Sequence, residues 1–294
     1  MRPGLRARPH RCPGSATVRA VTDQPAADAP LLLLDAPAPR VRRITLNRPE
    51  KRNAISTPLR RQLLETLQAA DADADVSVTI IRGAGPCFSS GYDLGGGELM
   101  SDPPHYTAPG DGQWSRHVTD SWMSIWDLAK PVIAQIHGYA LAGASELAAA
   151  CDLVYVAADA QIGHPVVRVL SPPDFNYHPW LVGYRHSMEM MLTGNSISGE
   201  EAARIGFANR AYPAEELDER VLEMATQVAR IPADLLQINK RSVHRAMDVL
   251  GVRAAIRAMS EYQALAGHVP SVQKFKENAL ESIKSAVDRP PAAR

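Results

Sequence analysis

The stretch from Lys130 to Asp152, KPVIAQIHGYALAGASELAAACD, constrains what this chain can fold into more than any other. Pro131 to Ile136 has the length and composition of a buried strand, closed by His137-Gly138. Leu141 to Ser145 is a turn of small residues, and Ser145 to Ala150 is an Ala-rich helix ending at Cys151-Asp152. A strand that turns through glycine and alanine into a helix leaves backbone N–H groups without acceptors at the helix start. Such donors can hold a developing negative charge. Glu146 lies just inside that helix, where a carboxylate can meet the same reacting atom.

The rest of the composition narrows the class. A chain of 294 residues that is 45% apolar suits one large domain, or one domain with an appendage. Lys+Arg and Asp+Glu balance at 32 each, so no net charge draws the protein to nucleic acid or to an anionic membrane, and neither partner is expected. Cys12, Cys87 and Cys151 are widely spaced and form no CxxC, which argues against a disulfide framework or zinc site and for a reducing, cytoplasmic setting. No apolar run approaches the roughly 20 residues that span a bilayer. Residues 1–30 are rich in Arg and Pro, carry no acid before Asp23 and show no periodic apolar face, so they read as a disordered leader.

Along the chain, Leu31 to Leu34 and Val41 to Leu46 read as paired strands joined across Pro37-Ala38-Pro39. After the basic turn NRPEKRNAIS, Thr57 is expected to cap a helix from Pro58 to Ala70 with a leucine face. Ser77 to Arg82 is a buried strand, followed by the glycine-rich GAGPCFSSGYDLGGGEL and an irregular segment, residues 101–112. A helix from Gln113 to Ala129 carries Trp114, Val118, Trp122, Ile125 and Trp126 at helical spacing, a stripe for packing or in part for an apolar channel. Leu153 to Ala157 is a further strand, and Asp159 to Gly183, crowded with prolines, reads as a long irregular segment. From Tyr184 onward the pattern is helical: 184–192, 198–205, 214–229, 233–247, 252–267 and 272–287. Strands interleaved with helices, then a run of helices, predict an α/β core with a helical C-terminal region.

Several familiar motifs fail. Gly83-Ala84-Gly85 begins GxGxxG, but Phe88 stands at the third glycine. Gly143-Ala144-Ser145 begins GxSxG, but Leu147 replaces its last glycine. The histidines form no metal-ligand spacing. Two loops remain, Phe88 to Leu94 and Leu141 to Glu146. Each follows a strand and carries a glycine where a backbone can approach a ligand.

On ITLNRPEKRNAI, CFSSGYDL, KPVIAQIHGYALAGASELAAACDLVYVAADAQIGHP and MLTGNSISGEEAARIGFANRAYP, the chain resembles the enoyl-CoA hydratase/isomerase (crotonase) superfamily from about Leu31 to the C-terminus. The resemblance implies an α/β fold, a crotonase (ClpP-like) spiral of ββα units over 31–210 with a C-terminal helical trimerisation region over 211–294, and a homotrimer or dimer of trimers. It implies an acyl-CoA thioester substrate and an enolate held in an oxyanion hole, here the N–H groups of Tyr92 and Gly143. Arg48, Lys51, Arg52, Asn53, Ala54 and Ser90 match the segments that bind coenzyme A. No cofactor is implied, since coenzyme A is part of the substrate. Glu146 matches the first catalytic glutamate of the hydratases, while the second position is Val166, which cannot move a proton. Asp174, eight residues further on, matches a working aspartate of the dienoyl-CoA isomerases; it equally suits a turn after Pro172-Pro173. His164 and His178 are weaker candidates. The expected activity is therefore enoyl-CoA hydration or isomerisation. C–C bond hydrolysis or dienoyl-CoA isomerisation on the same fold are alternatives, and an inactive homologue that binds CoA or RNA is an alternative from another class.

Overall fold

Strands of almost uninterrupted apolar sequence build the main sheet in the computed structural model of the chain, which describes residues 29–93 and 112–278. In chain order they are β1 (Leu32–Ala38), β2 (Val41–Leu46), β3 (Val78–Gly83), β4 (Val132–Ile136), β6 (Leu153–Ala157) and β9 (Arg210–Tyr212). The sheet follows that order from edge to edge; β1 pairs antiparallel with β2, and every later pair is parallel. The five residues of β4 are all buried, as a parallel strand covered on both faces requires. A second, three-stranded sheet joins β5 (Tyr139–Leu141), β7 (Gln161–Gly163) and β8 (Ile197–Ser198). The chain passes from the large sheet to the small one twice, from β4 to β5 and from β6 to β7.

The helices are α1 (Thr57–Ala72), α2 (Gln113–Asp127), α3 (Gly143–Ala150), α4 (His178–Leu181), α5 (Gly183–Thr193) and α6 (Gly199–Ile205), then α7 (Leu217–Ala229), α8 (Ala233–Val249), α9 (Val252–Ala266) and α10 (Pro270–Glu277). The short α3 is buried along its whole length, which its alanines and glycine allow. Asp152, two residues beyond the end of α3, anchors the C-terminal helices to the core. Its carboxylate meets Lys240 Nζ at 2.9 Å and His244 Nε2 at 3.0 Å, both from α8. Lys240 also donates to the carbonyls of Ile125 and Lys130, so this buried charge is fully engaged.

Several boundaries differ from the sequence reading. The cap of α1 is Ser56 rather than Thr57: its hydroxyl accepts from Leu59 N, and the helix takes in Thr57. The segment 159–183 is not structureless; it holds β7, a 3-10 turn at Pro165–Arg168 and α4. The helical C-terminal half is interrupted by β9, three residues too short to show a period, which the sheet edge recruits by pairing with β6. The leader to residue 28, most of the irregular segment and the last part of the final helix lie outside the described residues.

Candidate active site

Two strand-ending loops meet at the N-terminus of α3. The first is residues 84–93, held against residues 47–55 by the buried carboxamide of Asn53. Its Oδ1 accepts from Arg48 N at 2.9 Å, and its Nδ2 donates to the carbonyls of Ala84 and Cys87, both at 2.8 Å. Asn53 has φ 52, a left-handed conformation that asparagine tolerates better than most residues. Backbone bonds continue the clamp: Ser90 N to Arg52 O at 3.0 Å, Ile55 N to Gly91 O at 2.7 Å and Asp93 N to Ile55 O at 3.0 Å. In this parallel pairing the residue between two bonded positions faces its N–H the other way. That residue is Tyr92, and its N–H finds no acceptor among the described residues.

Gly91 brings this loop onto the turn between β5 and α3. It has φ 102, and a Cβ there would stand 2.7 Å from the Leu141 carbonyl and 3.3 Å from Gly143 N. The turn itself is strained: Ala142 has φ 48 and ψ −125, a region in which glycine is at home, and such a conformation costs on the order of 1–3 kcal/mol. It starts α3 at Gly143, two residues earlier than the sequence reading places it. The Gly143 N–H lies in the first helical turn, where no intrahelical acceptor exists, and it too has none among the described residues. The ring of Tyr92 lies against this glycine: a Cβ on Gly143 would fall 2.4–2.6 Å from three of its ring carbons. The structure thus brings together the two N–H groups singled out from sequence, and for each a glycine is a steric necessity.

Glu146, one turn into α3, is fully buried. Its Oε2 accepts from the Tyr92 hydroxyl at 2.6 Å, and the Tyr92 oxygen accepts in turn from Trp122 Nε1 at 2.8 Å. Its Oε1 accepts from Asp174 N at 3.0 Å and lies 3.8 Å from His164 Nδ1. Burial holds the Glu146 carboxyl well above the ordinary carboxylate range, and the neighbouring Asp174 carboxylate adds to this. The Tyr92 hydroxyl and the N–H groups of Phe175 and Asp174 pull the other way. Asp174 is also buried and also raised, chiefly by desolvation, against the Ser115 hydroxyl and the Arg60 guanidinium; its Oδ1 has no hydrogen-bond partner among the described residues. The two carboxyls therefore titrate as a pair. A carboxyl raised this far can exchange a proton near neutrality.

The residues matched to coenzyme A binding divide. Lys51 and Arg52 are exposed on the rim of the 47–55 loop, and Ala54 and Ser90 are half-buried beside them. Arg48 is engaged internally, with Asp93 Oδ2 at 2.8 Å and the Ala54 carbonyl at 2.6 Å. The Asn53 side chain is wholly engaged in the clamp, so only its backbone is left for a ligand. The sequence offers Trp122 as packing or part of an apolar channel and Tyr92 as a backbone donor, yet the Tyr92 hydroxyl reaches Glu146 and Trp122 Nε1 holds that hydroxyl. Only their proximity in space, across residues 92, 122 and 146, reveals this.

A sequence model of the enoyl-CoA hydratase/isomerase family matches residues 38–285. The chain belongs to that family. It is 33% identical over 236 residues to a Mycobacterium tuberculosis protein named as the enoyl-CoA hydratase EchA13, covering 74% of each chain. It is 31% identical to the 2,3-dehydroadipyl-CoA hydratase of Escherichia coli, covering 71% of this chain and 80% of that one. Among solved structures, an enoyl-CoA hydratase from Mycobacterium smegmatis superposes with a TM-score of 0.79 at 29% identity, covering 88% of this chain and 93% of the other. An enoyl-CoA isomerase from the same organism superposes with a TM-score of 0.62 at 30% identity, covering 74% of this chain and 94% of the other. The fold is that of the crotonase superfamily, and the protein is an enzyme of the enoyl-CoA hydratase/isomerase type acting on acyl-CoA. The departure at Val166 bears on the reaction. This residue is half-buried in the 3-10 turn, and the titratable side chain near Glu146 from this part of the chain is His164 instead.

Proposed function

We propose that the protein adds water across the double bond of an enoyl-CoA thioester. The observation that supports this best is the meeting of two N–H groups, Tyr92 and Gly143, with no acceptor among the described residues, and the buried carboxyl of Glu146 on the same turn. The N–H pair would hold the thioester oxygen as the enolate forms. Glu146 would exchange the proton at Cα, and Asp174, from the segment after the 3-10 turn, would bias its charge and share its proton. Lys51 and Arg52 would meet the phosphates of coenzyme A, which enters only as part of the substrate; the proposal uses no metal or redox cofactor.

Assay of the purified protein against straight-chain and cyclic enoyl-CoAs, followed by loss of the conjugated thioester absorbance, tests the reading. Glu146→Gln should lower kcat at least about 100-fold, with KM little changed because coenzyme A is held elsewhere. Turnover near that of the wild type in Glu146→Gln would overturn the assignment. Migration of the double bond without water uptake would favour isomerisation.

The same proposal includes a homotrimer or dimer of trimers in a cytoplasmic setting. Supporting it, Tyr184, Met188 and Leu192 expose an apolar stripe along α5, at 67%, 40% and 76%, and Leu235, Ile238 and Val243 do the same on α8. Such faces are normally covered. Cys87 and Cys151 are buried free thiols, in keeping with a reducing compartment. Among the described residues no helix is long and apolar enough to cross a membrane. A strictly monomeric mass by light scattering would contradict the assembly.

A further inference from the structure

Hydration needs one group to move a proton and another to hold the attacking water. Valine stands at position 166, where the hydratases carry their second glutamate. His164 stands two residues earlier, at the end of the strand β7 that pairs with β5, and is 5% exposed. Its Nδ1 has no hydrogen-bond partner among the described residues and lies 3.8 Å from Glu146 Oε1. That separation is too long for a direct hydrogen bond and short enough for one small molecule to touch both atoms. Burial keeps the imidazole neutral, pushing it down to about 4, while a hydrogen bond to the Ala142 carbonyl opposes this. A neutral imidazole has one ring nitrogen free to accept, and the unpartnered Nδ1 is placed to be that acceptor. Two acceptors that face each other across this distance call for a species with two hydrogens to give.

We infer that His164 Nδ1 and Glu146 Oε1 together bind and orient the water that adds to the enoyl-CoA, so that His164 takes the water-holding role of the glutamate that valine replaces at position 166. The inference rests on the hydration reading above. One water O–H points at Nδ1 and the other at Oε1. The water oxygen bonds to Cβ; the O–H bond facing Glu146 breaks and its proton passes to the carboxylate. The π pair of the double bond moves into the thioester, whose oxygen lies at the Tyr92 and Gly143 N–H groups. Glu146 then returns the same proton to Cα, where a C–H bond forms. The hydrogen facing His164 stays on the new hydroxyl, so His164 accepts a hydrogen bond throughout and never changes charge. Around it, the Tyr177 hydroxyl and His178 Nε2 are also buried without hydrogen-bond partners among the described residues, and the Tyr177 and His178 rings stack at 4.0 Å. This part of the site is therefore polar, and it can keep a water that an apolar wall would expel.

The test separates water addition from proton transfer. His164→Leu keeps the bulk and removes the acceptor. It should lower kcat for hydration at least ~10-fold, with KM for the enoyl-CoA within about twofold. Exchange of deuterium from solvent into Cα of a saturated acyl-CoA needs Glu146 and the two N–H donors but no added water, and it should stay within about threefold of wild type. His164→Gln, which offers a carbonyl acceptor, should recover much of the lost hydration. Unchanged hydration in His164→Leu overturns the inference. So does a fall in hydration and exchange together in both variants, which would mark His164 as structural. Wild-type protein that exchanges Cα protons but hydrates no enoyl-CoA refutes the hydration reading itself.

Discussion

The loop pair at 47–55 and 84–93 and the segment at 164–180 flank the same carboxyl, yet they treat their polar atoms in opposite ways. In the first, Asn53, Ser89, Arg48 and the backbone N–H groups of Ser90, Gly91 and Asp93 are tied into one set of hydrogen bonds. In the second, His164 Nδ1, Asp174 Oδ1, Tyr177 Oη and His178 Nε2 are buried and have no hydrogen-bond partner among the described residues. A buried polar atom without a partner costs about 1–3 kcal/mol, and natural proteins keep few of them. The difference separates a scaffold from a working surface. The first region uses its polar groups to hold the Tyr92 N–H in place; the second leaves them open to a ligand, as the proposed reaction requires.

The largest effect is expected where the two regions meet. Gly143→Ala would drive a Cβ into the Tyr92 ring and displace a proposed oxyanion donor. Turnover should fall at least ~100-fold, with the protein still folded by circular dichroism. Activity within tenfold of wild type would separate the Tyr92 packing from catalysis. Next, Asn53→Ala removes three hydrogen bonds and strands the Ala84 and Cys87 carbonyls. It should lower stability by about 2–4 kcal/mol in denaturant titration; a loss below about 0.5 kcal/mol would show that the clamp is dispensable. The smallest effect belongs to the unsatisfied region. Tyr177→Phe deletes a buried hydroxyl that has no partner to lose, so stability should change by less than about 0.5 kcal/mol. A loss comparable to that of Asn53→Ala would erase the contrast between the two regions.

The sequence by itself carried the local elements around the site. The strand of Pro131 to Ile136, the small-residue turn and the carboxylate at 146 are adjacent in the chain, and their apolar runs and glycines are read directly from residue order. The short strands β7 and β9 were hidden because three residues hold no period; their form comes from pairing with neighbours distant in sequence. The N-cap of α1 moved by one residue because Ser56 and Thr57 are chemically alike, and only the geometry of the Leu59 N–H distinguishes them.

What only the tertiary structure decided is which side chains surround Glu146. Tyr92, Trp122, His164 and Asp174 come from four separate segments, so no spacing in the chain links them. It also decided that the Asn53 amide serves the fold, and that the carboxyls at 146 and 174 titrate together. Charge state and hydrogen bonding depend on burial and on distances of a few ångströms, and these are properties of packing rather than of residue order.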